Sequence, residues 1–473
     1  MTDSTPPFFR PAPPSAILTN EWGLKAFVVC ALAFLMAIPG ILIFGLVADR
    51  SQRAEQAVAQ VSALRGGAQT VLGPEMIAPY SLPDKKGAFS PAGWYVVAPD
   101  QGDVQAVAHN SVLHRGIFDV PVYRVDLALS ARFARAPTAP NLPEGARIDW
   151  SHARFALGFS DLRGSQSDVV ANYVGNGKST ALDFTPAPDV LLGQPAQNGN
   201  GSSTQSPFGI VTAPILTGAA GGLVTARLEF TGAQRLSVLP FAKSTNVEIS
   251  GDWPSPSFDG GFLPTTRTLG KNSFRANWNV PFMARGLAAD GPDSEVTLPA
   301  LESRDLGVSF APANHPYLNV MRSLKYGVMF VGLVFLTFFV FEALSGRRVH
   351  AAQYVLIGLA QMVFYLLLLS FAEYLGFDLA YLIAAGATVG LIALYAGWVF
   401  KGRAFALKAL VVFSAVYALS YVLMQLQDFA LLVGSTASFI ALAAAMYLTR
   451  NLDWYGGRLG PSAASAPASA DEP

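Results

Sequence analysis

Six apolar runs are spaced very unevenly along this chain, one near the start and five crowded at the end. Crossing roughly 30 Å of hydrocarbon takes about 20 apolar residues at 1.5 Å per residue, and residues 26–47, 326–344, 354–371, 379–400, 405–424 and 429–448 are long enough. Between the first and second runs lies a polar insert of about 275 residues. The first run exceeds the about 7–15 apolar residues of a cleaved signal segment, so it reads as an anchor that stays. Charge agrees with this, since 14% of residues are charged where a soluble domain carries about 25%. The 32 Lys and Arg balance the 32 Asp and Glu. Without a basic surplus to neutralise phosphates, nucleic acid is excluded as a partner. Cys30 is the single cysteine, which rules out an intramolecular disulfide, a cysteine zinc site and an iron–sulfur cluster.

Short loops set orientation, because Lys and Arg collect on the cytoplasmic side. Arg347 and Arg348 follow the second run, Lys401 and Arg403 the fourth, and Arg450 and Arg458 the sixth, while the intervening loops hold only Glu373, Asp378 and Asp428. Both termini are therefore expected in the cytoplasm and the insert in the periplasm. The expected layout is a disordered N-terminus over 1–24, a membrane helix over 25–48, a periplasmic domain over 49–322, a five-helix bundle over 323–450 and a tail over 451–473, disordered from about 460. Residues 6–14, 194–206 and 461–473 are low in complexity, cannot bury apolar surface and read as disordered ends and a surface loop.

Inside the insert the period is two. Val125, Leu127, Leu129, Ala131 and Phe133 alternate with charged and polar residues, as do Phe155, Leu157 and Phe159. A hairpin is expected where 224–230 lead through 231–234 into 236–238, and 54–64 is expected to continue the first membrane helix outward. The fold class is thus an α+β membrane protein. Six transmembrane helices carry a large β-rich, antiparallel, sandwich-like domain inserted between helices 1 and 2.

Catalytic signatures are absent: no nucleophile elbow, no H-E-x-x-H, no phosphate loop and no dinucleotide fingerprint. His109 and His114, with Asp103 or Asp119, are weighed as metal ligands and read instead as strand-end residues; His152 and His315 have no visible partner. No enzyme activity, cofactor or metal is expected. Within the membrane, Glu342 and Lys408 lie near helix ends, with Glu342 in snorkelling reach of Arg347, and Glu373 lies at the opposite mouth. Gly386 and Gly390 form a small-xxx-small face for helix packing, and Pro39-Gly40 is expected to kink the first helix.

Several motifs then resemble one family. They are Val71-Leu72-Gly73-Pro74 with Ile77-Ala78-Pro79, Asp252-Trp253-Pro254-Ser255-Pro256-Ser257-Phe258 with Gly261-Phe262-Leu263-Pro264, Phe338-Phe339-Val340-Phe341-Glu342, His350 with Gln353-Tyr354, Phe364-Tyr365 with the leucines 366–369, and Leu448-Thr449-Arg450-Asn451-Leu452-Asp453-Trp454-Tyr455. Together they resemble the CreD family of inner-membrane proteins, also called the cell envelope integrity family, from about residue 24 to 456. The resemblance implies a Gram-negative inner-membrane protein tied to envelope integrity, to tolerance of colicins and β-lactams, and to control by the CreBC two-component system. The family supplies no catalytic residues, so Gly73, Pro74, Asp252, Trp253, Pro254, Phe258, Glu342, Asp453 and Trp454 stand as motif positions without an assigned role; the Trp253 motif also suits a buried turn between sheets. The expected function is non-enzymatic support of the envelope, with the bilayer and an envelope glycan, lipid or membrane protein as partners. A transporter or lipid-handling bundle is the second reading, and a periplasmic hydrolase using His109, His114 or His152 the third.

Overall fold

The computed structural model describes residues 21–84, 87–134, 141–175, 177–190, 208–215, 221–293, 298–310, 316–425 and 430–450. The expected disordered ends and the loop over 194–206 fall outside these, as do Asp453, Trp454 and His315. The chain divides into two compact units, residues 53–313 and residues 1–52 with 314–473.

The helical unit begins with α1 (Glu21–Leu35) and α2 (Ala37–Leu64). The interruption at Met36 lies one turn before the expected site at Pro39-Gly40. Pro39 has no N–H, and its ring crowds the carbonyl four residues earlier, that of Leu35, so the ladder breaks there. The helix nevertheless continues to Leu64, as 54–64 led one to expect. Two short helices of the insert, α3 (Phe282–Arg285) and α4 (Leu298–Glu302), precede the rest: α5 (Pro316–Lys325), α6 (Gly327–Ser345), α7 (Ala351–Leu375), α8 (Phe377–Val399), α9 (Arg403–Gln425) and α10 (Ala430–Thr449). Among the described residues five helices are long and apolar enough to span a membrane, or six if Tyr317–Lys325 and Met329–Ser345, bent by 50° at a short break, form one span. The second apolar run, 326–344, is thus α6 itself, and the bend lies at its N-terminal edge, where α5 joins it. Asn319, Arg322, Ser323 and Lys325 keep α5 out of a hydropathy window, although it leads directly into α6.

Among the described residues, a Cβ added at Gly386 or Gly390 would meet nothing within 4 Å. The buried face of α8 is instead Ala380, Ala384, Thr388, Ile392 and Ala396, spaced one turn apart. Alanine is small enough for close approach to the neighbouring helices.

Among the described residues the insert holds two sheets of ten and eight strands. In the first, neighbours run Ser257–Gly260, Leu306–Ser309, Arg235–Val238, Gln69–Pro83, Arg154–Phe159, Gly209–Pro214 and Thr185–Pro186, with Phe89–Val97 and Arg147–Ile148 also along Gln69–Pro83 and Asp290–Pro292 beyond Phe89–Val97. The second runs Thr266–Leu269, Phe274–Val280, Ser244–Gly251, Gln101–Arg115, Phe118–Phe133, Gly222–Ala233, Val170–Gly175 and Lys178–Leu182. Buried residues from both sheets join one continuous hydrophobic core.

Pairing is not purely antiparallel. Gln69–Pro83 runs parallel to Arg235–Val238, and Ser244–Gly251 parallel to Gln101–Arg115. The expected hairpin is also absent. Gly222–Ala233 belongs to the second sheet and Arg235–Val238 to the first, so the chain changes sheets at Gln234, whose φ of 65° turns it in the left-handed region.

Candidate functional site

Family-motif residues of the insert fall into two places. In the first, Gly73 and Pro74 form an irregularity of Gln69–Pro83, where pairing with Arg154–Phe159 shifts between Leu72 and Glu75. Proline has no N–H for the ladder and belongs at such a bulge. A Cβ on Gly73 would lie 2.4 Å from the Phe241 ring, and one on Gly102 of the opposite sheet 2.5 Å from the same ring. The fully buried Phe241 thus wedges between two glycines, one from each sheet. Next to this wedge, Glu75 is 2% exposed. Burial pushes its carboxyl up to about 7, with the Arg285 guanidinium pulling the other way. Arg285 is itself fully buried, donating from Nε to the Pro240 carbonyl at 2.9 Å and from Nη1 to that of Ala288 at 2.8 Å. Glu75 Oε1 and Arg285 Nη2 have no hydrogen-bond partner among the described residues.

In the second place, Asp252 closes the strand Ser244–Gly251 and ties it to Gln101–Arg115. Its Oδ1 accepts from the Asn110 backbone N–H at 2.6 Å and from Asn110 Nδ2 at 3.0 Å. Gly251 lets the strands approach, since a Cβ there would sit 2.8 Å from the Ala108 carbonyl oxygen. The aromatics beyond it point into the core. Trp253 meets Phe310 edge-on at 6.2 Å, and Phe258 meets Phe274 at 6.2 Å and Trp278 at 6.0 Å. Pro254 between them is exposed. The motif therefore combines a core plug with an exposed carboxylate, and an open groove of about 450 Å³ runs beside that carboxylate. His109, Asp252, Thr268, Ser273 and Arg275 contribute polar groups to its walls.

The weighed histidines do not converge on a metal. His109 pairs with Asp126 at 3.2 Å and His114 with Asp119 at 2.7 Å, and no group of three or more metal-binding side chains exists among the described residues. His152 lies with Asp149 and Ser151 in one exposed turn, but Ser151 Oγ at 3.2 Å and Asp149 Oδ2 at 2.7 Å both address its Nδ1. A serine–histidine–aspartate relay needs the two partners on different ring nitrogens, so this turn lacks that geometry.

In the helical unit Glu342 is 1% exposed and does not reach for Arg347. It accepts from Lys25 of α1, from the Val349 N–H at 2.8 Å and from the Tyr354 hydroxyl of α7 at 3.1 Å. His350 caps α7 and Gln353 completes a capping box. The motif residues Glu342, His350, Gln353 and Tyr354 thus build one polar node at one end of α1, α6 and α7. Sequence reasoning missed Lys25 because its partner is 317 positions away. At the other end Glu373 accepts from the Tyr317 hydroxyl at 3.1 Å and faces Arg50 at 3.8 Å. Between these nodes Gln361, 3% exposed, donates to the Phe330 carbonyl at 3.4 Å, and the Tyr381 hydroxyl donates to the Tyr417 carbonyl at 2.7 Å.

A family model described as inner membrane protein CreD matches residues 21–455. The inner membrane protein CreD of Escherichia coli K12 is 28% identical over 452 residues, 93% of this chain and 95% of that protein. A solved structure from Parabacteroides distasonis, described as a candidate protease, is 9% identical over 56% of this chain and 57% of that chain with a TM-score of 0.23, too slight a likeness to argue from.

Proposed function

The chain belongs to the CreD family of inner membrane proteins, and from that premise we propose that it supports the cell envelope without chemistry of its own, its inserted β domain facing the periplasm and holding a polar envelope component. The observation that carries this reading is the Asp252 groove, where a family motif spends its aromatics on the core and leaves a carboxylate at the surface beside His109 and Arg275. Donors and acceptors of both signs on an open wall suit a hydroxyl-rich, charged ligand such as a peptidoglycan fragment or a lipopolysaccharide sugar. Orientation rests on the cationic loops after α6 and α8 and the acidic loop before α8, which put both chain ends in the cytoplasm.

The test is a thermal-shift titration of the full chain in lipid nanodiscs against peptidoglycan fragments and lipopolysaccharide. A ligand that binds only the folded state raises the melting temperature. A rise that Asp252→Ala abolishes supports the groove. No rise with either ligand sinks the reading and transfers function to the helical unit as a lipid-handling or transport bundle, the alternative that the polar residues Gln361, Tyr381 and Tyr417 inside it would serve.

A further inference from the structure

We propose that the helical unit carries a specific site for an anionic phospholipid, formed where the second span breaks: the phosphate bound by Arg322 and Lys325, an acyl chain lying in the cavity beside α2. This inference is independent of the reading of the β domain.

The cavity has a volume of about 180 Å³ and is walled by α1, α2, α5, α6 and α7 through Ala33, Gly40, Ile41, Phe44, Val331 and Met362, with Lys325 of α5 also lining it. Ile41 is 68% exposed and Phe44 42% exposed, so the cavity opens sideways toward whatever surrounds the helices. Its depth follows from the two polar nodes. Tyr354 and Glu373 mark the ends of α7 and are 19 positions apart in sequence, which at 1.5 Å per residue is about 28 Å, one hydrocarbon thickness. Gly327 sits beside Tyr365, whose hydroxyl would be 3.3 Å from a Cβ there. Tyr365 is eight positions before Glu373, or about 12 Å inward of it. The opening therefore faces acyl chains.

Charge decides the kind of lipid. Arg322 and Lys325 lie three positions apart on one face of α5. Lys25 and Arg50, the other cations of these nodes, have carboxylate partners, whereas Arg322 and Lys325 have none among the described residues. Cations at membrane depth are paired or used. Long stems let both heads rise toward the interface, where a lipid phosphate supplies the missing anion and its chain descends into the apolar cavity below. An uncharged headgroup would leave the two cations without net compensation.

The test uses the full chain reconstituted into bilayers that contain small fractions of brominated phosphatidylglycerol or brominated phosphatidylcholine. Phe44→Trp reports from the cavity wall; Leu42→Trp, 71% exposed and outside the cavity, reports general lipid contact. The expected result is several-fold stronger quenching of Phe44→Trp by phosphatidylglycerol than by phosphatidylcholine, no such preference for Leu42→Trp, loss of the preference in Arg322→Gln/Lys325→Gln, and its retention in Lys325→Arg. Equal quenching of Phe44→Trp by both lipids overturns the site, as does a preference that survives removal of both cations. Absence of quenching by either lipid, as when another protein's helix covers the opening, overturns it too. Undiminished quenching of Leu42→Trp by phosphatidylcholine in the charge variant shows that the variant is still inserted.

Discussion

Lys25 and Glu342 stand 317 positions apart and form a part-buried ion pair, its carboxylate fully buried, that fastens the first membrane helix to α6. The Tyr354 hydroxyl and the Val349 N–H complete the donor shell around the carboxylate. Removing one partner of such a pair leaves an uncompensated charge, whereas neutralising both leaves none. Lys25→Met is therefore expected to destabilise the helical unit by about 3 kcal/mol, and Lys25→Met/Glu342→Gln to recover more than half of the loss. Thermal unfolding in nanodiscs measures both. A double variant no more stable than the single one would show that the pair is not the fastening.

Glu75 makes the β domain sensitive to pH. Its folded value of about 7 lies above the ordinary 4.5, so between these limits the folded state binds the extra proton and stability falls as pH rises. The stabilising contribution is whole below about pH 4.5 and lost by about pH 7, worth on the order of 3 kcal/mol. Glu75→Gln is expected to remove that slope. Hydrogen exchange of the amides in Gln69–Pro83 across pH 5–8 checks it, and an unchanged slope in the variant would falsify the assignment.

The Phe241 wedge predicts a paired effect. Gly73→Ala drives a methyl into the ring and is expected to cost about 1–3 kcal/mol, while Phe241→Ala, which empties the gap, costs about 3–5 kcal/mol. Phe241→Leu with Gly73→Ala should be more stable than Gly73→Ala alone. Denaturant titration followed by tryptophan fluorescence separates these outcomes; simple additivity would mean that the ring and the glycine do not press on each other.

Orientation has its own test. In a Cys30→Ser background, Glu144→Cys of the insert is expected to react with a membrane-impermeant maleimide in spheroplasts, and Arg347→Cys of the loop after α6 only after the membrane is opened. The opposite labelling would invert the topology.

Sequence periodicity made much of the insert legible. Val125, Leu127, Leu129, Ala131 and Phe133 are all buried on one side of their strand, as their alternation requires. The strand Arg154–Phe159 shows where that signal ends: Ala156 and Gly158 are buried as well, so both of its faces are covered and the alternation is lost. Gln234 was misread for a different reason. A short turn between two apolar stretches looks the same whether the chain folds back in one sheet or crosses to another, and only long-range pairing distinguishes them. In the candidate sites, the family resemblance singled out the motif around Trp253 but could not reveal that Asp252 accepts from Asn110, 142 positions distant. Nor could it show that Lys325, one turn from Arg322, lines a cavity, since its walls come from five helices.

The two ends of the insert meet in one sheet. Arg235–Val238 lies between Gln69–Pro83, the first strand made, and Leu306–Ser309, the last. That arrangement imposes a schedule on biogenesis. The β domain cannot close until its final strand has left the ribosome, and Lys25 cannot meet Glu342 until synthesis has advanced 317 residues. At about 5–20 residues per second that interval is on the order of 15–60 s, during which the first helix sits in the bilayer with its charge unanswered and an unfinished domain tethered behind it.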